Sequence, residues 1–173
     1  MKALVVYDSF FGNTEKIAQA IGQGLGSQGE VEARRVGEVT PWQKPPGLAP
    51  QQLAGVQLLI VGSPTRGFRA SEATMKFLNS IPAGGLRGVK VAAFDTRMSL
   101  KDLNNAILNF VFWLKLGGYA AKPIANALQK SGGELLAAPE GFFVKASEGP
   151  LHDGELERAA EWGRKIRDVK RET

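Results

Sequence analysis

The most informative segment of the sequence is the short loop Asp8-Ser9-Phe10-Phe11-Gly12-Asn13-Thr14, a junction between two predicted elements. The run before it, Ala3–Tyr7, is apolar throughout, which is typical of a strand buried on both faces. After it, Ile17, Ile21 and Leu25 recur every four residues and predict a helix. The junction therefore joins the carboxyl end of a buried strand to the start of a helix.

The same alternation continues along the chain. We predict buried strands at 56–61 and 89–94, with a helix at about 71–80 between them. A weaker strand at 31–36 contains two arginines, which place it at an edge of the sheet. Pro139 interrupts the last apolar stretch. Its two halves, 134–137 and 142–144, are therefore expected to be two pieces of one terminal strand.

A final helix is predicted after these strands. Its expected core side consists of Leu156, Ala159, Ala160, Gly163 and Ile166. Alternating strands and helices predict parallel strands with right-handed crossovers and helices on both faces. We therefore predict an α/β fold, a three-layer α/β/α sandwich around a five-stranded parallel sheet, with residues 1–173 forming a single domain. Ligands bind such sheets beyond the carboxyl ends of the strands, so the site should lie in the loops after residues 8, 62 and 94.

The composition excludes several chemistries. The 173 residues include no cysteine, which excludes disulfides, thiolate nucleophiles, iron–sulfur clusters and cysteine zinc sites. The single histidine, His152, argues against histidine-rich metal sites and Ser–His–Asp triads, so no metal site is predicted. No apolar run approaches the roughly 18–20 residues of a membrane span. Since the start also lacks the pattern of a signal peptide, a cytoplasmic protein is expected.

The chain is basic, with 22 Lys and Arg against 17 Asp and Glu, a formal net charge of +5. Much of the excess lies in Arg34-Arg35 and in the tail 164–173, where acidic residues are interleaved. No basic stripe with interleaved aromatic residues is present. The sequence therefore predicts no nucleic-acid partner.

The first loop suits a phosphate. A helix that opens with Gly12-Asn13-Thr14 offers unpaired backbone N–H groups at its positive end. Ser9 and Thr14 can add hydroxyl donors and Asn13 an amide, whereas the alternative is an ordinary N-cap by Asn13 or Thr14. The loop contains no cationic side chain, which favours a phosphomonoester over a triphosphate with magnesium.

The other two loops carry polar and aromatic groups. The second reads Gly62-Ser63-Pro64-Thr65-Arg66-Gly67-Phe68-Arg69 and offers a hydroxyl and a flat apolar ring. The third reads Asp95-Thr96-Arg97-Met98, which is polar at the end of an apolar strand. On the residues alone, the second loop is equally well explained as a ligand-binding loop or as a plain strand-to-helix connection. The third is equally well explained as a ligand-binding loop or as a solvated turn.

Together the three loops resemble those of the flavodoxins and flavodoxin-like FMN proteins. The family's phosphate loop consists of Thr or Ser, two further residues and then Gly-Asn-Thr, and the segment from Ser9 to Thr14 matches this pattern. The run Gly-Ser-Pro-Thr at 62–65 looks like the family's loop beside the flavin. The resemblance covers essentially the whole chain and implies the strand order 2-1-3-4-5. It also implies an FMN-binding electron-transfer flavoprotein that acts with a redox partner protein.

Carried onto this sequence, the resemblance implies three groups of cofactor-binding residues. The phosphate would lie at the loop Ser9, Phe10, Phe11, Gly12, Asn13 and Thr14. One side of the isoalloxazine ring would face Ser63, Pro64, Thr65, Arg66, Gly67 and Phe68. Its pyrimidine end would meet Asp95, Thr96 and Arg97, within the loop 95–98. No catalytic residue is implied.

The sequence departs from the family pattern in its aromatics and its charge. Phe11 stands where many flavodoxins have a further hydroxyl, and Phe68 is the only aromatic candidate in the second and third loops. Familiar flavodoxins are acidic, whereas this chain places Arg66, Arg69 and Arg97 in the flavin loops. We hypothesise that these arginines favour the anionic reduced flavin and make its potential less negative. The alternative is that they are solvated surface charges.

An insert at about 98–118 follows the third loop. Within it, residues 106–114 are apolar nearly all round, which predicts a helix that is fully covered. The cover could be a second copy in a homodimer, a protein or lipid-soluble substrate, or the protein's own sheet. This insert and the arginines support an alternative function, an FMN-dependent oxidoreductase acting on a quinone, a porphyrinogen or NAD(P)H. A third hypothesis is a flavodoxin-fold module that has lost FMN and binds a partner.

Overall fold

In a computed structural model, the described residues are 2–26, 30–39, 53–99 and 118–172. The apolar run 106–114 and its predicted dimer contact lie outside them. The first half contains strands β1 (Ala3–Tyr7), β2 (Val31–Arg35) and β3 (Leu58–Pro64), with helices α1 (Asn13–Leu25) and α2 (Glu72–Ser80). The second half contains β4 (Lys90–Met98), α3 (Ala121–Lys130), β5 (Glu134–Leu135), β6 (Glu140–Val144) and α4 (Glu155–Glu172).

The strands form one parallel sheet in the order β2-β1-β3-β4-β5, with β6 also paired to β4. The predicted sandwich with order 2-1-3-4-5 is confirmed, and β2 lies at the edge as expected. The fifth position of the sheet is shared, because β5 pairs with β4 at Lys90 and Val91, and β6 pairs with it from Phe94 to Met98. The predicted division of the terminal strand is therefore also confirmed.

The sheet separates two apolar cores. On one face Val5, Ile17, Phe94 and Phe142 pack under α1 and α4, together with Trp162. The rings of Phe94, Phe142 and Trp162 meet edge to face, with centroids 6.1–6.4 Å apart. The other core lies under α2 and α3 and is built from residues such as Leu59, Val61, Phe77, Ile124 and Leu128. Burial of both faces explains why the central strands are continuous apolar runs.

The predicted core side of the last helix was wrong at Leu156, which is 42% exposed. The Glu155 carboxylate takes the inward position of the first turn instead, where it accepts from the Phe143 N–H at 2.7 Å. The buried stripe then continues through Ala159, Trp162 and Ile166.

The strand β4 is longer than predicted. Residues 95–97 were expected in a loop, but β6 pairs with this segment and extends the ladder through Thr96 and Arg97, opposite Phe142 and Phe143. The site residues of the third motif therefore lie on a strand rather than a turn. None of the helices among residues 2–26, 30–39, 53–99 and 118–172 is long and apolar enough to cross a membrane.

Candidate functional site

A cleft of about 340 Å³ opens at the carboxyl edge of the sheet, beside the ends of β1, β3, β4 and β6. This volume is within the range of small-molecule sites. The structure brings together at this cleft most of the residues predicted from sequence, namely Ser9, Phe10, Phe11, Asn13, Thr14, Pro64, Thr65, Arg66, Gly67, Phe68, Thr96 and Arg97.

One end of the cleft is the loop 9–14, which we call the phosphate loop. Gly12 precedes α1 with φ 81°, a left-handed conformation that glycine adopts without strain, and none of the described side chains caps the helix. The expected alternative, an N-cap by Asn13 or Thr14, is therefore wrong. Asn13 Nδ2 donates to the Glu148 carbonyl at 2.9 Å, and Thr14 Oγ1 shares a hydrogen bond with Thr96 Oγ1 at 2.8 Å.

Ser9 carries an unsatisfied donor in this loop. Its side chain is buried, and among the described residues its Oγ has no hydrogen-bond partner. A buried hydroxyl without a partner is costly unless a ligand or water completes it. The guanidinium of Arg35 donates to the Ser9 carbonyl, which brings a positive charge next to the loop from strand β2. Because Arg35 lies in the neighbouring strand and not in the loop, the loop sequence alone does not indicate this positive charge.

A tight turn, Arg66–Arg69, forms one wall of the cleft, and we call it the arginine turn. The N–H groups of Arg66 and Arg69 each donate to the other residue's carbonyl, at 3.0 and 3.2 Å. Gly67 and Phe68 between them have φ 52° and 65°, as a type I′ turn requires. A left-handed backbone is strained for a phenylalanine, so this turn holds the Phe68 ring against the cleft at a cost in energy.

Two exposed rings flank the arginine turn. Phe10 and Phe11 are 55% and 47% exposed, and the Arg66 guanidinium carbon lies 5.0 and 5.5 Å from their ring centroids. These distances are within the range of cation–π attraction. Phe10, Phe11 and Arg66 thus form a stacked group at the mouth of the cleft.

The opposite end of the cleft is organised by a fully buried carboxylate, Asp95. Its Oδ1 accepts from Arg97 Nε at 2.5 Å, and its Oδ2 accepts from Thr65 Oγ1 at 3.1 Å and from the Ala121 N–H at 2.8 Å. We call this group the Asp95 clamp. Burial raises the pKa of the Asp95 carboxyl, although Arg97 and the two other donors oppose the increase. The clamp fastens β3, β4 and the start of α3 to one another.

Arg97 stands between the clamp and an aromatic ring. Its guanidinium carbon lies 3.8 Å from the centroid of Tyr119, and a Cβ at Gly141 would approach that carbon to 2.2 Å, so a larger residue at 141 would displace the guanidinium. Burial raises the pKa of the Tyr119 hydroxyl, which keeps that group protonated at neutral pH. The ring supplies a further aromatic side chain to the cleft, in addition to Phe68 of the second loop.

Three predicted residues do not line the cleft. Gly12 shapes the start of α1, and Asp95 acts through its clamp. Ser63 is fully buried, where its Oγ accepts from the Ser71 N–H at 2.9 Å and donates to the Pro64 carbonyl at 3.1 Å. Met98, which ends the predicted loop 95–98, also lines the cleft. Three further lining residues were missed by the sequence reasoning, namely Tyr119, Val144 and Ser147. Val144 and Ser147 could have been found, because they lie at the carboxyl end of the predicted last strand.

A second hollow of about 660 Å³ adjoins the cleft. The two share Phe68, Arg97 and Tyr119, and the hollow continues along α3 past Lys122 and Asn126. A group bound in the cleft would therefore have a neighbouring space large enough for a second molecule.

A doubly wound parallel sheet with a cleft where the strand order reverses defines a nucleotide-binding α/β protein. Residues 5–162 match the family model described as Flavodoxin, and the chain belongs to the flavodoxin family. Its fold is similar to that of a flavodoxin from the domain Archaea, with 23% identity, a TM-score of 0.67 and coverage of 98% of this chain and 99% of that one. Oxidised flavodoxin 1 from Bacillus cereus is similar at 18% identity and a TM-score of 0.70, covering 97% and 98% of the two chains.

A further similarity is to an NAD(P)H dehydrogenase (quinone) of Cupriavidus metallidurans, 36% identical over 102 residues. That match covers 51% of this chain and about half the length of that protein. As a flavodoxin-family member, the chain is an FMN-binding flavodoxin-like protein. The site fits this cofactor, because the uncapped start of α1 and the unpaired Ser9 hydroxyl are donors suited to a phosphate.

Proposed function

We propose that this protein carries electrons between redox partners. The observation that carries the proposal is the lining of the cleft, in which the described residues include no His, Asp, Glu or Lys. Its Tyr119 hydroxyl has a raised pKa, and arginine is not a general acid or base, so none of these lining groups is suited to move a proton at neutral pH. FMN, when bound, supplies one- and two-electron transfer, and the protein supplies binding and electrostatics.

Each part of the cleft has a role in this proposal. The unpaired Ser9 hydroxyl and the backbone N–H groups that follow Gly12 hold the phosphate. Asn13 and Thr14 lie beside it, with their side chains bonded to Glu148 and Thr96. The ring system lies along Pro64, Thr65, Arg66, Gly67 and Phe68, with Thr96 and Arg97 at its pyrimidine end. Asp95 and Ser63 act indirectly, since each holds a lining segment in place. The cytoplasmic location expected from the sequence is part of the proposal, and cell fractionation with immunoblotting checks it.

A second candidate function is an FMN-dependent oxidoreductase that passes electrons from NAD(P)H to a quinone. Two observations favour it. One is the similarity to the NAD(P)H dehydrogenase (quinone) of C. metallidurans. The other is the hollow beside the cleft, which would hold a second substrate against Phe68 and Tyr119.

A reductive titration and a turnover assay distinguish the two functions. For a carrier, we expect dithionite reduction of the FMN-loaded protein to resolve two one-electron midpoint potentials. We also expect the protein alone to oxidise NADPH slowly when benzoquinone is the acceptor. Rapid multiple turnover of NADPH with benzoquinone, together with a single two-electron potential, would contradict the carrier and support the oxidoreductase.

A further inference from the structure

We propose that the arginine turn and the exposed rings of Phe10 and Phe11 form a docking surface for an acidic redox protein. The inference rests on the proposed carrier function, because it names the kind of partner with which that carrier would exchange electrons. The surface borders the cleft directly, so a protein bound there would lie beside the cofactor.

The positive charge of this surface is uncompensated. Within the described part of the chain, Arg66 and Arg69 form no salt bridge, and the side chain of Arg69 has no hydrogen-bond partner. Of the carboxylates close to this surface in sequence, Glu72 pairs with Lys76 at 2.7 Å, and Asp8 accepts from the Ser9 N–H at 2.9 Å. A surface with unpaired cations on a protein of net charge +5 attracts carboxylates and repels basic proteins.

The shape and composition of the surface favour a protein over a small anion. Arg69 is exposed but does not line the cleft, so a ligand within the cleft would leave this charge uncompensated. Phe10 and Phe11 stay about half exposed although they flank the cleft, and Arg66 stacks on both. Exposed aromatic rings and arginine are the residues that protein interfaces concentrate at their centre.

Stopped-flow reduction of the FMN-loaded protein tests the proposal. The electron donor is a reduced plant-type [2Fe–2S] ferredoxin, which serves as an acidic probe, and flavin absorbance reports the rate. We expect the second-order rate constant to fall roughly tenfold between about 20 mM and about 300 mM salt. At low salt, Arg69→Gln should lower it about threefold and Arg66→Gln/Arg69→Gln about tenfold.

Two controls separate docking from effects on FMN binding and on net charge. Arg69 does not line the cleft, so Arg69→Gln should leave FMN affinity unchanged. The matched control is Lys130→Gln/Arg164→Gln, which removes the same net charge away from the surface. Lys130 ends α3 at the opposite edge of the sheet, Arg164 lies in α4, and both are exposed without a salt bridge in the described residues. We expect the control to lower the rate constant less than twofold.

Equal effects of the two double variants would overturn the docking surface, because net charge alone would then explain the attraction. The proposal would also be wrong if Arg69→Gln slowed reduction by NADPH but not by ferredoxin, since the turn would then bind a small anion. A protein that takes up no FMN would overturn the proposed function itself, which is seen separately as a missing flavin spectrum.

Discussion

The two ends of the cleft treat their polar groups in opposite ways. At the phosphate loop, the Ser9 hydroxyl is buried and, within the described part of the chain, has no partner, and no side chain there caps α1. At the Asp95 clamp, one buried carboxylate accepts three hydrogen bonds from Thr65, Arg97 and Ala121. Polar groups without a protein partner are thus left for a ligand, whereas paired ones hold the walls of the cleft in place. Unsatisfied groups should therefore control binding, and satisfied ones should control stability.

The largest expected effect is on stability and comes from the clamp. Asp95→Ala leaves Arg97, the Thr65 hydroxyl and the Ala121 N–H without their shared acceptor. Breaking a buried ion pair costs about 3–5 kcal/mol, so we expect the free energy of unfolding to fall by about that amount in urea denaturation. Asp153→Ala is the control, because this carboxylate pairs with Lys145 at the surface. A loss no greater in Asp95→Ala than in Asp153→Ala would contradict the role of the clamp.

The next largest effect is on FMN affinity and comes from the phosphate loop. Ser9→Ala removes a hydroxyl that has no hydrogen bond to lose among the described residues, so the stability of the FMN-free protein should not fall. A hydrogen bond to a charged group is worth about 1.5–3 kcal/mol, so the Kd for FMN should rise roughly tenfold to a hundredfold. Fluorescence titration measures the affinity and urea denaturation the stability.

Ser63→Ala is the matched control for Ser9→Ala. Ser63 is equally buried, but its hydroxyl makes two hydrogen bonds and does not line the cleft. We expect this variant to lose about 1–2 kcal/mol of stability and to keep its FMN affinity. If the two serine variants behaved alike, the distinction between the two ends of the cleft would be lost.

A smaller effect should appear in the pH dependence of stability. Because the pKa of Asp95 is raised in the folded protein, the folded state binds this proton more tightly than the unfolded state. Asp95 therefore makes stability rise as pH falls from its raised pKa towards the ordinary value of 3.8. Relative to Asp95→Asn, the wild-type FMN-free protein should therefore gain stability as pH falls through this window. A stability difference between the two proteins that is constant from pH 7 to about pH 4 would contradict this assignment.

The smallest expected effect is on the reduction potential of the bound flavin, and it should differ between Arg66 and Arg97. Arg66 forms no salt bridge among the described residues, whereas Arg97 is held at 2.5 Å by Asp95. Arg66→Gln removes this charge and should destabilise the anionic reduced flavin by on the order of 1 kcal/mol. The potential should therefore become more negative by about 40 mV for one electron. Arg97→Gln should move the potential less, because Asp95 already offsets that charge. Spectroelectrochemistry measures both, and a larger shift in Arg97→Gln would contradict this division.

The sheet could be predicted from sequence because burial on both faces makes its strands continuous apolar runs. Even the division of the last strand was visible, since Pro139 interrupts its apolar stretch. The carboxyl end of β4 could not be predicted from sequence. Asp95, Thr96 and Arg97 are polar and were assigned to a loop, whereas β6 pairs with this segment and keeps it in the strand. Leu156 was assigned to the core because the pattern does not show that the Glu155 carboxylate binds a backbone N–H.

The candidate site was predictable where motifs carry it and not where tertiary contacts do. The phosphate loop and the arginine turn are continuous in sequence, so their residues were found. The proximity of Tyr119 to Arg97 depends on a contact across 22 residues, and Arg35 reaches Ser9 from another strand. Asp95 was predicted to face the cofactor, but it binds three protein donors instead, which only the folded geometry reveals.

The central claim is that this cleft holds FMN through its phosphate, at donors the protein leaves unpaired. Its most direct test compares the binding of FMN with that of riboflavin, which has the same ring system and no phosphate, by fluorescence titration of the FMN-free protein. We predict one FMN per chain and an affinity at least about a hundredfold higher than for riboflavin, since the phosphate would make several charge-assisted hydrogen bonds. Equal affinity for the two flavins, or no saturable binding of FMN, would contradict the account.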